Sequence, residues 1–153
     1  MHADDEVMAD YGGTLARAAS DAKLDRYADA FVRHGFSRFA LEDRAGRFLG
    51  YVGVLPIAPH IPAAPGVEIG WRLVRDAWGH GYASEAARAV LCDGFARHGW
   101  TEVLSYTAPE NLRSQAVMSR LGLSRVPDRD FTVEYDGKRW SGQVWVARPE
   151  MPF

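Results

Sequence analysis

The stretch that decides the fold runs from Gly66 to Glu85, GVEIGWRLVRDAWGHGYASE. Val67 to Val74 has the composition of a β-strand. A turn with two glycines follows, and Tyr82 to His98 then repeats small apolar residues at helical spacing. Glycines let a ligand approach the backbone closely, and the first amides of a helix are unpaired. The succession of strand, glycine turn and helix therefore predicts a cradle for a phosphate or pyrophosphate.

The same turn excludes two other phosphate-binding motifs. A Walker loop requires Gly-Lys-Ser/Thr, whereas Gly81 is followed by Tyr82 and Ala83. A Rossmann fingerprint requires a third glycine where this chain has Ser84. Short glycine motifs are common, so a tight structural turn without a ligand stays open as the alternative.

The flanking elements predict one α/β (α+β) domain over residues 1–153, with a mixed, mostly antiparallel central sheet flanked by helices. Helices are predicted over 4–11, from a Thr14 cap to His34 with Gly35 as its stop, over 82–98 and over 111–121. Strands are predicted over 36–42, 48–55, 67–74, 102–107, 131–135 and 143–147, with a turn at Asp136-Gly137. The four prolines of 56–66 predict a surface loop.

Composition narrows the function classes. The chain has 153 residues, a net charge of −2 and a single cysteine. This charge argues against broad nucleic-acid binding, and one cysteine excludes a cysteine metal cluster. We expect Cys92 to be a small core residue and expect no metal site. We find no signal peptide and no apolar run long enough to span a membrane, so we expect a cytoplasmic protein.

A second constellation is Asn111-Leu112-Arg113-Ser114, which continues to Met118-Ser119-Arg120-Leu121-Gly122-Leu123. Asn111 stands where a strand passes into a helix, and a helix cap is its simplest interpretation. Asn111 and Ser114 also stand where a ligand lying across the carboxyl end of the sheet would pass.

Together the two motifs resemble the signature motifs of the GNAT superfamily of N-acetyltransferases, and are most similar to the branch of ribosomal-protein N-terminal acetyltransferases. The resemblance is strongest from Pro56 to Leu123. It implies acetyl-CoA as cofactor and acetyl transfer to a primary amine, either a protein N-terminus or a small molecule. A non-catalytic acyl-CoA sensor is the alternative function.

The resemblance also implies roles for individual residues. Leu73 and Val74 would offer backbone groups to the pantetheine arm. The pyrophosphate would lie on the turn formed by Trp78, Gly79, His80, Gly81, Tyr82 and Ala83. Asn111 and Ser114 would contact the cofactor nearer its thiol, and Glu68 would be the general base.

The chemistry of acetyl transfer to an amine requires a general base whether or not the resemblance holds. An amine arrives as an ammonium, so a proton must be removed before it attacks a thioester. On an alternating strand Glu68 faces away from Val67 and Ile69. Its alternative is a structural acid paired with an arginine such as Arg72. The leaving thiolate needs a proton, and the sequence leaves Ser114 and Tyr106 as equal candidates.

Two departures from the resemblance have consequences. Asp76 occupies a position where the superfamily usually has Gln or Arg, and the neighbouring Arg75 could substitute. The family's usual first strand is missing, which predicts that 36–42 becomes a sheet edge. Exposed edges recruit further strands, so we expect a homodimer.

Overall fold

The computed structural model describes residues 1–135, 137–151 and 153, without the side chains of Tyr135 and Lys138. Its helices are α1 (Asp5–Met8), α2 (Arg17–His34), α3 (Tyr82–His98) and α4 (Leu112–Arg120). Its strands are β1 (Arg38–Glu42), β2 (Phe48–Pro56), β3 (Val67–Leu73), β4 (Val103–Thr107), β5 (Ser124–Arg125), β6 (Phe131–Tyr135) and β7 (Lys138–Ala147). Short 3₁₀ turns cover Ala9–Tyr11, Arg75–Ala77 and Pro127–Arg129.

The strands form one mixed sheet in the order β1-β2-β3-β4-β7-β5, and β6 pairs with β7. Neighbouring strands run antiparallel, except for β3 and β4, which run parallel. The mixed, mostly antiparallel sheet flanked by helices is therefore confirmed. Parallel neighbours need a long crossover, and the segment that contains α3 supplies it.

The parallel neighbours β3 and β4 share only one registered pair in the described chain, Glu68 opposite Leu104. One residue further on, the buried Ser105 Oγ donates a hydrogen bond to the Ile69 carbonyl at 3.0 Å. The hydroxyl thus bridges the two strands where backbone pairing stops. The carboxyl-terminal part of β3 is left free to line a cleft.

The main core lies between the sheet and the small residues of α3. Ala87 and Leu91 are completely buried against Val52 and Ile69. Gly94 lies one turn further on, under the Trp100 ring. A second apolar cluster combines the proline-rich loop with β4, β6 and β7: Ile57, Ile61, Leu104, Phe131, Val144 and Val146.

The structure corrects several boundaries. Helix α2 begins at Arg17 after Ala16, which makes no side-chain cap bond, so Thr14 is not the cap. Its end is as predicted, because Gly35 has a φ of 76°. Strand β7 begins at Lys138, five residues earlier than expected. Asp136 of the predicted turn lies outside the described residues.

One burial prediction was wrong, and the surface-loop prediction holds except at two isoleucines. Cys92 is exposed rather than part of the core, because it follows the buried Leu91 and lies about 100° round the helix. The loop over 56–66 is not only a surface feature. Ile57 and Ile61 are 5% and 6% exposed, because they fill the apolar space between the loop and β4.

Strand β1 lies at one end of the sheet, as the sequence predicts. No strand precedes α1 in the described part of the chain. Phe39 of β1 is 44% exposed. Among the described residues its one aromatic contact is the half-exposed ring of Phe31, edge to face with 5.6 Å between the ring centres.

We predict that Gly94→Ala destabilises the protein even though alanine favours helices. The added Cβ would lie 2.3 Å from the Trp100 ring, so either the helix or the ring must move. Overpacking of this kind costs about 1–3 kcal/mol, against a propensity gain of roughly 1 kcal/mol. Urea unfolding measures the difference. In a Trp100→Leu background the same substitution should be neutral or stabilising, and an equal loss there would contradict the packing explanation.

Candidate functional site

A cleft of about 670 Å³ opens at the carboxyl end of β3. Its walls are β3, the glycine turn, the first turns of α3 and α4, and the N-terminal segment. Eight of the predicted site residues line it: Leu73, Trp78, Gly79, Gly81, Tyr82, Ala83, Asn111 and Ser114. Val74, His80, Glu68 and Tyr106 are not part of its lining.

The glycine turn is open on its ligand side. Gly79 and Gly81 have φ values of 78° and 82°, and a Cβ built on either would meet no atom within 4 Å. Helix α3 begins directly afterwards, and no side chain caps its first turn. Its first amides and the positive end of its dipole therefore remain available to an anion in the cleft.

Two further groups beside the turn fit an anionic ligand. Ser84 lines the cleft, and its buried Oγ has no hydrogen-bond partner among the described residues. The Arg113 guanidinium lies 4.0 Å from the centre of the Trp78 ring, and this contact holds the positive charge of Arg113 at the rim of the cleft. Ser84 stands in the glycine motif and Arg113 in the Asn111 motif, but no sequence pattern pointed to a role for either residue.

The backbone groups of Leu73 and Val74 are partly engaged. The Trp78 indole donates to the Leu73 carbonyl at 3.1 Å. The Val74 amide donates to the Leu49 carbonyl at 2.9 Å. His80 is exposed, with its ring 5.8 Å from that of Tyr82. In this structure Val74 and His80 shape the turn rather than the wall of the cleft.

Asn111 is the cap of α4. Its side-chain oxygen accepts from the Ser114 amide at 3.1 Å, so the cap interpretation is confirmed. Its Nδ2 donates to Asp10 at 2.8 Å, and Asp10 also pairs with Arg72 at 3.0 Å. Asp10 therefore joins β3 to α4 across the cleft. Since 101 residues separate Asp10 from Asn111, no sequence pattern pointed to this contact.

Glu68 lies on the same face of β3 as Gly70 and Arg72, but its partner is not Arg72. Its carboxylate meets the Arg38 guanidinium at 2.5 Å, and both side chains are almost fully buried. Arg38 crosses the sheet from β1 and also donates to the carbonyls of Gly53 and Gly70. A side chain on Gly70 would collide with the guanidinium, so this glycine keeps the crossing open.

Burial makes the Glu68 carboxylate a stronger base than an exposed one. Desolvation raises the pKa of its carboxyl above the ordinary value of a glutamate, and the Arg38 charge opposes that rise without cancelling it. Trp71 is the first residue of β3 that lines the cleft, three positions after Glu68, so Glu68 stands about 10 Å back along the strand from that lining. A ligand anchored at the turn must extend along the strand to reach it.

The two candidate proton donors lie in different surroundings. Ser114 stands in the first turn of α4 and lines the cleft. Tyr106 packs edge to face against the rings of Phe131 at 5.2 Å and Trp140 at 6.3 Å, within the second apolar cluster.

Residues 1–135, 137–151 and 153 contain neither a candidate metal site nor a candidate membrane span. No group of three or more His, Cys, Asp or Glu side chains could hold a metal ion. No helix is both long and apolar enough to cross a bilayer.

Comparison with known proteins gives a consistent family signal. The family model of the GNAT acetyltransferase domain matches residues 1–124. The uncharacterized protein YkkB of Bacillus subtilis is 32% identical over 121 residues, which are 78% of this chain and 69% of YkkB. FsC-acetyl coenzyme A-N(2)-transacetylase of Aspergillus fumigatus is 34% identical over 95 residues, or 60% of this chain. The match spans only 40% of the Aspergillus protein's length.

Solved structures share the fold. A GNAT-family acetyltransferase from Bacillus anthracis superposes with a TM-score of 0.77 at 21% identity, over 97% of this chain and 85% of that one. The ribosomal-protein-S5-alanine acetyltransferase of Vibrio fischeri superposes with a TM-score of 0.67 at 15% identity, over 86% and 71%. At these identities the superpositions concern the fold alone.

We predict that Gly81→Val weakens CoA binding at least tenfold, because its side chain would occupy the open side of the turn. Isothermal calorimetry measures the affinity. Gly46→Val is the matched control: Gly46 has a φ of 78° and equally open surroundings, but lies in the turn between β1 and β2. Both variants should lose similar stability, about 1–2 kcal/mol, through the left-handed conformation. Equal CoA affinity in the two variants would remove the cradle from this turn.

Proposed function

The chain belongs to the GNAT acetyltransferase family, whose members use acetyl-CoA as acetyl donor, and from this premise we propose that it transfers an acetyl group to a primary amine. The transfer is direct, within a ternary complex of protein, donor and amine. The observation that carries this proposal is the open glycine turn at one end of β3, with a buried carboxylate further back on the same strand.

The described residues fit this donor. The pyrophosphate needs amides and positive charge, and the open turn, the uncapped start of α3 and Arg113 provide them. The unpartnered Ser84 hydroxyl offers one more hydrogen bond. We assign the pyrophosphate to the turn from Trp78 to Ala83, and the arm to Leu73 and the start of α4. When bound, the donor supplies a thioester and therefore an activated acetyl group.

We assign the general base to Glu68. The acceptor must lose a proton to expose its lone pair, and a carboxylate with a raised pKa is a stronger base than an exposed one. Arg38 holds this carboxylate in place. Ser114 is the preferred donor of the proton to the departing sulfur, since it lines the cleft and Tyr106 does not.

The family does not fix the acceptor, and both a protein N-terminus and a small-molecule amine remain candidates. Membership of the ribosomal-protein branch is likewise a proposal, because its Vibrio fischeri neighbour shares the fold at 15% identity. We propose that residues 1–153 are one catalytic domain, because one apolar cluster joins β2, β3, α3, α4 and the end of β7. The alternative acyl-CoA sensor would bind CoA at the same cradle without releasing thiol from acetyl-CoA.

We predict that Glu68→Gln lowers kcat by about 10²–10⁴-fold, with little change in acetyl-CoA affinity. The amide keeps the shape of the carboxylate but is a far weaker base. Because the Glu68 pKa is raised, this base becomes protonated at a higher pH than an ordinary glutamate does. As the pH decreases, wild-type activity should therefore begin to fall while the pH is still above the usual pKa range of a glutamate. The deficit of the variant should shrink at high pH, where more of the acceptor is already neutral.

The measurement is thiol release from acetyl-CoA across pH, with a melting curve for each variant. Glu102→Gln is the control, because Glu102 also pairs with arginines, Arg129 at 2.7 Å and Arg148 at 3.8 Å, but lies outside the cleft lining. Near-normal kcat for Glu68→Gln at neutral pH would refute the assignment. CoA binding without thiol release by the wild type, whichever amine is supplied, would favour the sensor.

We propose further that the protein forms a homodimer through β1. In the described chain this strand pairs only with β2, and Phe39 and Phe31 beside it are both about half exposed. Light scattering should give twice the chain mass, and Phe39→Glu should give the single mass. Phe48→Glu is the control, since Phe48 is equally exposed but stands on β2. A wild-type monomer would refute the dimer.

A further inference from the structure

An aspartate of the N-terminal segment stands in the cleft and has no role in the proposed reaction. Asp10 lies in the 3₁₀ turn after α1, and it is the only acidic residue among the described residues that line the cleft. Val7 and Met8, just before this turn, are 4% and 0% exposed, so the turn is anchored to the rest of the fold. A carboxylate in a cleft that suits an anionic ligand needs an explanation, because it repels phosphate.

The Arg72 side chain holds the Asp10 carboxylate in place from β3. Arg72 Nη1 lies 3.0 Å from Asp10 Oδ1, and Arg72 Nη2 lies 3.4 Å from Asp10 Oδ2, so the guanidinium meets both carboxylate oxygens. Nη1 also donates to the Val7 carbonyl. Because the Arg72 side chain is only 13% exposed and contacts three acceptor atoms, the Asp10 carboxylate has a fixed position relative to β3.

On the other side of the cleft, Asp10 holds one end of the Asn111 amide. Asp10 Oδ2 accepts from Asn111 Nδ2 at 2.8 Å, while Asn111 Oδ1 accepts from the Ser114 amide at 3.1 Å. A carboxylate can only accept hydrogen bonds, so an amide turned over would set oxygen against oxygen at one end and N–H against N–H at the other. The cap of α4 thus fixes the oxygen of Asn111, and Asp10 fixes its nitrogen.

The Asn111 amide keeps one hydrogen for a ligand. Nδ2 carries two hydrogens, and Asp10 accepts one of them. With both ends of the amide held, the second hydrogen has one direction, and Asn111 lines the cleft. The pantetheine arm of the proposed donor contains amide carbonyls that can accept this hydrogen. An N–H group that is already held loses less conformational freedom on binding than a freely rotating one.

From this chain of contacts we infer that Asp10 is a positioning residue, which holds Asn111 so that its free N–H donates to a carbonyl of the pantetheine arm. The inference rests on the proposed placement of the donor and adds a residue that acts on the arm through Asn111. If Asp10 only tied β3 to α4, it would stabilise the fold without favouring one part of the cofactor over another.

The test compares two ligands that differ only in the arm: CoA and 3′-phospho-ADP, which is CoA without pantetheine. Calorimetry gives the dissociation constant of each, and the ratio of the two constants measures the contribution of the arm without any turnover. The ratio is determined in the wild type, in Asp10→Ala, in Asn111→Ser and in the double variant. Serine can still cap α4, but it lacks the NH₂ group of asparagine.

We expect the advantage of CoA over 3′-phospho-ADP to fall about 3- to 10-fold in Asp10→Ala, the usual worth of one hydrogen bond. Asn111→Ser should lose at least as much. The double variant should match Asn111→Ser to within about twofold, because Asp10 acts through Asn111.

Glu6→Gln is the matched control. Glu6 stands four residues before Asp10 and also bridges the cleft, but at its rim, where it pairs with Arg75 at 2.5 Å and with Arg113 at 3.9 Å. Both ligands contain the phosphates that lie at this rim in the proposed complex. The ratio in Glu6→Gln should therefore equal that of the wild type.

Melting curves show whether each variant is folded. Asp10→Asn keeps the volume of the side chain and takes the place of Asp10→Ala if that variant does not fold. Its amide must turn an N–H group toward Asn111 or Arg72, so the ratio should fall here too.

An unchanged ratio in the folded Asp10 variant, or losses that multiply in the double variant, would overturn the inference. A wild type that binds the two ligands equally would overturn the donor placement and the inference with it. The expected ratios without thiol release from acetyl-CoA would support the inference and count against the proposed transfer.

Discussion

The Arg38–Glu68 pair is the interaction on which the rest of the site depends. Arg38 starts on the edge strand, crosses β2 and ends on β3, so one side chain connects three strands. Its path exists because glycines stand at the crossing, and a Cβ on Gly70 would lie 2.7 Å from its Nη2. Breaking a buried pair of this kind costs more than forming it gains, because the partner is left charged and alone. Structure and proposed chemistry thus depend on the same two residues.

The limited pairing of β3 with β4 is the second constraint. Two parallel strands that pair along their whole length would satisfy each other's backbone groups and leave no room between them. Here the registered pairing is limited to Glu68 and Leu104, and the Ser105 hydroxyl replaces the next contact. The sheet therefore keeps its continuity at one point and opens a cleft beyond it.

The N-terminal segment contributes more to the site than its short helix suggests. Asp10 connects Arg72 on β3 with the Asn111 cap of α4. Tyr11 lies between two cations, with the Lys23 nitrogen 4.0 Å and the Arg72 guanidinium 5.3 Å from the centre of its ring. Met8 is completely buried and Val7 nearly so, which anchors the segment. One stretch of chain thus lines the cleft and connects β3 with α4.

The sequence by itself determined the elements whose causes are local. A strand, two glycines and an alanine-rich helix in succession predicted the turn, because left-handed φ values and close backbone approach require glycine. The Asn111 cap and the Gly35 stop are decided by neighbouring residues, and both predictions were right. The Thr14 cap and the burial of Cys92 were wrong, because the actual helix start and the face turned to the sheet depend on packing. Only the tertiary structure could pair Glu68 with Arg38 rather than Arg72, join Asp10 to Asn111 and bury Lys23 against the Tyr11 ring. Each of these contacts joins residues of different elements, and the register of the sheet, which no local pattern encodes, decides which side chains meet.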